Sequence, residues 1–399
     1  MAETQRNIPI TKPCFDAREV EAASRPILSG WVTQGPEVAA FEKEFAAHVG
    51  ARHACAVSNC TTALHLALIA AGVGSDDEVI TVSHSFIATM NCVRYQGAVP
   101  VVVDIDPDSY NVDPALIERV ITPRTRAILC VHQVGMPCEL AAILPIARRH
   151  SLVVIEDAAC AIGSEIRWNG VWEKIGKPHG DVACFSFHPR KVISTGDGGM
   201  ITTSNPEWDK RFRSLRQHAM SVPDTVRHGA KQVIFESYPE LGFNYRMTDI
   251  QAAVGREQLK RLPEIVEKRR ALAARYTKLL SQLRGVSPPR EPEWAHSNWQ
   301  SYCVRLLPGV KQVDVMQQLL DRGISTRRGI MSSHREPAYA REKWTCGPGP
   351  GACGCSTGRC DRLPESERAT DTCVLLPLYP QMTQEEQDFV VASLAEACR

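Results

Sequence analysis

No run in this 399-residue chain approaches the ~20 apolar residues that a helix needs to cross a bilayer. The first ten residues, Met1 to Ile10, lack the apolar core of a secretion signal. An excess of one charge is missing too: 46 Lys and Arg stand against 45 Asp and Glu, a formal net charge of +1. That balance leaves no electrostatic footprint for nucleic acid or an anionic membrane. Internal repeats and long low-complexity tracts are absent. The expectation is a soluble, cytoplasmic, globular protein. Short basic groups do occur. Lys268-Arg269-Arg270, on a helical pattern beside Glu264 and Glu267, reads as a solvated face.

Cysteine, by contrast, is plentiful and odd in number, at 15. Without a secretion signal, most should be reduced thiols. Many lie inside apolar runs, as Cys130 does in Ala127-Ile128-Leu129-Cys130-Val131, where a thiol behaves as a small hydrophobe. Cys346, Cys353, Cys355 and Cys360 differ, because they sit in a Gly- and Pro-rich stretch. Four thiolates could hold a tetrahedral zinc ion. Cys353 and Cys355 leave one residue between them, tighter than zinc sites usually show, so the reading adopted is a reduced loop with no resident metal.

From about residue 50 to 205, short β-branched runs alternate with helical stretches. The predicted strands are Glu78–Val82, Val99–Asp104, Ala127–Val131, Leu152–Glu156, Val182–Phe187 and Met200–Thr203, with helices such as Thr61–Ala71 and Ala141–His150 between them. Such alternation implies an α/β fold with a mostly parallel sheet covered on both faces, and ligands beyond the carboxyl ends of its strands. Later, Thr248-Asp249-Ile250-Gln251 reads as a capping box that opens a helix, and Pro263 as the start of a second one. Tyr302–Leu306 begins a smaller α+β portion that ends in a helix capped by Thr383 and Glu386. The expected division is a large domain over 1–265, including the N-terminal segment, and a small C-terminal domain over 266–399.

Three segments end predicted strands and place polar groups at one rim. Ser58-Asn59-Cys60-Thr61-Thr62 runs into an apolar helix, and N–H groups at a helix N-terminus suit a phosphate. Val153-Val154-Ile155-Glu156-Asp157 is a buried strand that ends in two carboxylates, although Asp157 could equally cap a helix. Cys184-Phe185-Ser186-Phe187-His188-Pro189-Arg190-Lys191 leads a lysine into Gly196-Asp197-Gly198-Gly199. A lysine held at a site rim can become a nucleophile. Cradle, acid and lysine are together the parts that a pyridoxal-phosphate enzyme needs.

With those residues in view, the chain resembles the DegT/StrS-type sugar aminotransferases within the fold-type I pyridoxal-phosphate enzymes. The likeness runs from Ser29-Gly30-Trp31-Val32-Thr33-Gln34-Gly35-Pro36 through the three segments above. It continues in Leu241-Gly242-Phe243-Asn244-Tyr245-Arg246-Met247 and ends at Leu376-Pro377-Leu378-Tyr379-Pro380. The resemblance implies a large sheet domain, a small α+β domain and pyridoxal 5′-phosphate as cofactor. Lys191 would carry that cofactor as a Schiff base and shuttle the proton, and Asp157 would pair with its ring nitrogen. Phe86 would stack on one face of the ring and Ala159 on the other. Thr61, Ser186 and the backbone at Cys60 would hold the phosphate. Asn244 would reach the phosphate from the partner subunit of a homodimer with shared sites. Cys160 stands near the phenolic oxygen, where relatives often carry Gln or His, and a thiol is a weaker donor.

The activity so implied is transfer of an amino group from an amino acid, L-glutamate or glutamine, to a keto-sugar that is nucleotide-linked. His334, Arg327 and Arg328 are candidates to contact a substrate phosphate. A pyridoxamine-dependent sugar dehydratase would lack the lysine, and a regulatory protein on the same fold would not need the constellation. A metal-dependent hydrolase using Glu156, Asp157 and His188 lacks any tight ligand spacing.

Overall fold

The computed structural model describes residues 7–222, 232–347, 355 and 358–399. In chain order its first elements are α1 (Ala17–Ser29), α2 (Pro36–Val49), β1 (His53–Val57), α3 (Cys60–Ala70), β2 (Glu78–Val82), α4 (Ala88–Tyr95), β3 (Val99–Val103), α5 (Pro114–Ile117), β4 (Thr125–Val131), α6 (Leu140–Arg149) and β5 (Val153–Asp157). There follow β6 (Glu165–Trp168), β7 (Val171–Lys174), β8 (Val182–Ser186), β9 (Gly199–Thr203), α7 (Pro206–Leu215) and α8 (Asp249–Leu280). The remainder is β10 (Val286–Ser287), β11 (Ala295–His296), β12 (Tyr302–Leu306), α9 (Gln312–Asp321), β13 (Arg327–Arg328), α10 (Pro364–Thr372), β14 (Cys373–Leu376) and α11 (Gln384–Ala397). No described helix is long and apolar enough to cross a membrane.

The expected α/β fold with a large, mostly parallel sheet is what forms. Seven strands lie in the order β1-β9-β8-β5-β4-β2-β3. β9 pairs antiparallel with both its neighbours, and β8, β5, β4, β2 and β3 run parallel. The carboxyl ends of β1, β2, β4, β5 and β8 therefore share one rim, to which β9 contributes its first residue, Gly199. The strands are almost wholly buried because helices cover both faces, which is why they read as unbroken Val/Ile runs.

Among the described residues two large apolar cores divide the chain, beside a small third cluster around Met90, Tyr339 and Leu363. The larger contains the seven-stranded sheet, and the smaller gathers β12, β14, α9 and α11. The helix α8 serves both: Leu259, Leu262, Ile265 and Val266 enter the first, whereas Ala273, Tyr276 and Leu280 enter the second. Ile8, close to the N-terminus, lies in the second core and bonds across to Gly323 and Ser325.

Two expectations fail here. Pro263 starts no helix, because α8 runs unbroken from Asp249 to Leu280 with the proline inside it. An interior proline removes one hydrogen bond and costs about 3 kcal/mol. Burial of six large side chains on the two cores outweighs that. Leu262, directly before Pro263, offers no capping oxygen, whereas the capping box at Thr248 and Gln251 forms as predicted. Nor is Lys268-Arg269-Arg270 a solvated face. Arg269 is 1% exposed, and its Nη1 donates to the carbonyls of Trp299, Gln300 and Leu378 at 3.1–3.2 Å. Arg270 is half-buried against Ser297 and Glu165. Only Lys268 fits the solvated reading, paired with Glu264 on the surface. Helical periodicity marks Arg269 as the inward position, and three otherwise unpaired carbonyls explain why a guanidinium stands there.

Candidate active site

Asn59 turns the chain out of β1. Its side chain accepts from Thr62 N–H at 3.0 Å while Thr62 Oγ1 accepts from Asn59 N–H, a reciprocal cap. The cap leaves Cys60 and Thr61 in the first helical turn, whose N–H groups precede any intrahelical bond and point out of the helix end. Gly199 sits against this turn. A Cβ there would lie 2.5 Å from Asn59 C and 2.9 Å from Cys60 N, so only glycine lets the helix end approach the sheet. Gly199 pairs with Ser186, the last residue of β8, whose buried hydroxyl accepts from His188 N–H.

Asp157 ends β5 between Val131 and Cys184 in register. It is buried. Thr89 donates to its Oδ2 at 2.9 Å and Ala159 N–H to its Oδ1 at 3.2 Å. Ser85 in turn bonds Thr89. Burial pushes the Asp157 carboxyl above its ordinary value, and these two donors offset the effect only in part. No helix follows Asp157, so the residue is not a helix cap.

Glu156, the adjacent carboxylate, points to the opposite face, as strand alternation requires. There it meets His132 Nε2 at 3.0 Å and Gly180 N–H at 2.9 Å. Burial raises the Glu156 pKa, but the His132 contact outweighs it and holds the group below its usual value. The pair is a buried strut, and Glu156, Asp157 and His188 do not converge on a metal.

Lys191 reaches back from the 187–198 loop, which is tied to itself through Phe187, Ser194, Thr195 and Gly198. Its Nζ lies 3.1 Å from Cys160 Sγ. Burial disfavours the ammonium, yet Cys160 and the charge of Asp157 outweigh that and raise its pKa. Cys60 is close enough to feel Asp157, Lys191 and Cys160 alike. Lys191, Asp157, Cys160 and Cys60 thus stand within reach of one another's charge, with Ala159 bonded to Asp157 and with Thr61 and Ser186 at the same rim. Phe86, in the turn whose Thr89 bonds Asp157, is 62% exposed and does not belong to the core.

A contributor invisible in the sequence is the 297–300 segment. Buried Asn298 donates through Nδ2 to the carbonyls of Cys160 and Ile162 at 2.8 and 2.7 Å. Gln300 Nε2 donates to the carbonyl of Arg190 at 2.8 Å. Two amides therefore hold the residues on either side of the Lys191–Cys160 contact. No motif marks them, since their partners lie 138 and 110 positions away.

Other candidates fall elsewhere. Asn244 is exposed, on a segment that bridges to Gln217 and lies beside the α3 entry, where Tyr245 accepts from Ser58 N–H. His334 is not available to a substrate. It is buried, with Nδ1 2.6 Å from Ser83 Oγ and Nε2 3.2 Å from Glu367. Arg327 and Arg328 are exposed, and Arg328 pairs with Glu336. Cys346, Cys355 and Cys360 come together, with their sulfurs within 4.8 Å of one another. Cys353 lies outside the described residues.

Comparison with known proteins bears on this geometry. The sequence profile of the DegT/DnrJ/EryC1/StrS aminotransferase family matches residues 13–395. The chain is 34% identical over 393 residues to the spore coat polysaccharide biosynthesis protein SpsC of Bacillus subtilis, covering 98% of this chain and 96% of that one. It superposes with a TM-score of 0.84 on S. venezuelae DesV, solved in complex with a ketimine intermediate, at 34% identity over 98% and 99% of the two chains. The PLP form of Spr1654 from Streptococcus pneumoniae, a putative sugar aminotransferase, superposes with a TM-score of 0.87 over 98% and 99% at 24% identity, a likeness of fold.

Proposed function

The chain belongs to the DegT/DnrJ/EryC1/StrS aminotransferase family, and from that premise we propose that it transfers an amino group from L-glutamate or glutamine to a nucleotide-linked keto-sugar, with pyridoxal 5′-phosphate as cofactor. The observation that carries this reading is the meeting of Lys191, Cys160 and Asp157 beside the first turn of α3. The residues present fit the cofactor. The α3 N-terminus, kept clear by Gly199, and the Ser186 hydroxyl suit a phosphate dianion. Asp157, buried with its pKa raised, calls for a cationic partner such as a protonated ring nitrogen. Ala159, whose N–H bonds Asp157, and Phe86, exposed in the turn that carries Thr89, would lie against the two faces of the ring.

When bound, the cofactor draws electron density away from the substrate carbon that loses its proton. The chain's own groups do the rest. Lys191 Nζ takes and returns that proton, and first has to shed the proton that Asp157 and Cys160 help it keep. Asp157 holds the opposing charge fixed through Thr89 and Ala159, so no reorganisation is needed as charge moves. Asn298 and Gln300 fix the backbone on which Cys160 and Lys191 stand.

In this reading Asn244 completes the phosphate site of a partner subunit in a cytoplasmic homodimer. Its exposure and its polar loop before the capped helix α8 support that role. The division into domains 1–265 and 266–399 rests on the change of core along α8. The test is a screen of nucleotide-linked and free keto-sugars against the pyridoxamine form, followed by absorbance. Return of the starting spectrum with a nucleotide-linked keto-sugar supports the reading; no response to any keto-sugar refutes it. Mixing Lys191→Ala and Asn244→Ala chains then tests the shared site. Recovered activity in hybrid dimers supports it, and none despite subunit exchange refutes it.

A further inference from the structure

The stretch from Gly347 to Gly358 is made almost wholly of Gly, Pro, Ala, Ser, Thr and Cys. The described residues on either side of it are held in place. Just before it, Thr345 joins the outer edge of β3: its N–H donates to Pro100 O at 3.0 Å and its carbonyl accepts from Val102 N–H at 2.7 Å. Just after it, Cys360 leads into α10, with its N–H on Glu367 Oε1 and its carbonyl taking Leu363 N–H.

Three thiols converge between these anchors. Cys346 and Cys360 are buried and Cys355 is half-buried. Their sulfurs lie within 4.8 Å of one another, and those of Cys346 and Cys355 are 3.5 Å apart, a contact rather than a bond. Zinc bound to thiolates at about 2.3 Å in a tetrahedron sets its ligand sulfurs roughly 3.8 Å apart. The observed spacing brackets that value. Elsewhere thiols meet at most in pairs, Cys130 with Cys138 and Cys303 with Cys373 inside the large core, and Cys55 fills space there as a small hydrophobe; among the described residues no other group of three potential metal ligands forms. Here three are gathered at one point, walled by Met90, Val102, Tyr339 and Leu363. The Arg362 guanidinium donates to the carbonyl of Cys346 and the Arg335 guanidinium to that of Gly358, so positive charge stands behind the sulfurs.

We infer that Cys346, Cys355 and Cys360 bind one structural zinc ion as thiolates, with the fourth corner left to water or another donor. Binding forms three Zn–S bonds and releases the three thiol protons to solvent, with no change of oxidation state. Thiolates favour zinc over hard divalent ions, and a dry apolar wall suits a structural ion. The metal would tie Cys346 to Cys360 at the sheet edge beside α4, where Ile87 and Met90 pack on the cluster while neighbouring Thr89 bonds Asp157.

The experiment uses the full chain, loaded with cofactor and purified under reductant without chelator. Elemental analysis should find about one zinc per chain. Cys346→Ser and Cys360→Ser should each lose most of it, and Cys130→Ala, in the sheet core, should keep it. Should the serine variants fail to fold, the wild type still answers. Protein stripped by a chelator and titrated with cobalt(II) should show a thiolate-to-cobalt absorption that saturates near one equivalent, and should regain the melting temperature lost on stripping. Zinc-free protein that gives no cobalt absorption, with all its thiols titratable or with a Cys346–Cys355 disulfide, overturns the inference. So does zinc that persists in both serine variants.

Discussion

Consider Gly199→Ala, a change of one methyl group. The added Cβ would lie 2.5 Å from Asn59 C, 2.6 Å from Asn59 O and 2.9 Å from Cys60 N. All three are backbone atoms, so no side chain can swing aside. Relief to an ordinary contact near 3.4 Å requires the first turn of α3 to withdraw by roughly 0.9 Å from β9. Overpacking of this kind costs about 1–3 kcal/mol. If that falls on the phosphate cradle, cofactor affinity drops about 5- to 150-fold, at tenfold per 1.4 kcal/mol. The assay is a cofactor titration followed by tryptophan quenching, alongside the melting temperature of the cofactor-free protein. Gly74→Ala is the control, because its Cβ would meet nothing closer than Asp77 Oδ2 at 3.9 Å. Wild-type affinity in Gly199→Ala would refute the cradle. An equal loss of stability with and without cofactor would place the strain elsewhere.

Asp157→Asn should retain cofactor but slow turnover by about 10²-fold or more, since a fixed charge opposite the reacting group is lost. pH adds a second reading. Burial raises the Asp157 pKa in the fold, so the ionised form costs stability, a cost absent below the ordinary value of 3.8 and complete above the raised one. Cofactor-free protein should therefore gain a contribution to stability as pH falls through that window, cofactor affinity should weaken there, and Asp157→Asn should flatten both trends. Asn298→Ala strips the carbonyls of Cys160 and Ile162 of a donor, which at about 1–3 kcal/mol each should lower the urea midpoint and also kcat; an unchanged kcat would make the residue structural alone. Arg269→Met leaves three buried carbonyls unpaired and should destabilise the protein by about 3 kcal/mol or more, with the urea midpoint as the measure and an unshifted midpoint as the refutation.

Local signals carried the sheet and its rim. Each predicted strand forms within two residues, because Val/Ile runs between helical stretches have few alternatives in a covered sheet. Asp157 and Lys191 were legible because each comes soon after such a strand, and the α3 N-terminus because a polar turn, Ser58-Asn59, runs into an apolar helix. β1 and β9 escaped in part: His53–Val57 is short and rich in Ala and Cys, and Gly199 gives no strand signal although it opens β9. The failures at Pro263 and Arg269 share one cause. Both are residues whose local preference is overridden by what α8 packs against, and a partner far away in the chain leaves no local trace. Asn298 and Gln300 were missed for that reason as well.

The bond between Thr345 and β3 also bears on what this protein does when it is not yet folded. Val99-Pro100-Val101-Val102-Val103 is the last strand of the large sheet, and an outer strand so rich in valine is a ready template for another chain. Two devices blunt it. Pro100 removes one outward-pairing donor from the strand, and Thr345 occupies the Pro100 carbonyl and the Val102 N–H. Thr345 arrives 243 residues after Val102 in the sequence, so during synthesis the strand exists long before its cover. Until residues near 345 emerge and dock, the proline alone stands between this edge and intermolecular pairing. Pro100→Val should leave the finished protein nearly as stable as before and yet sharply raise the fraction lost to aggregation on refolding, an outcome that light scattering would resolve.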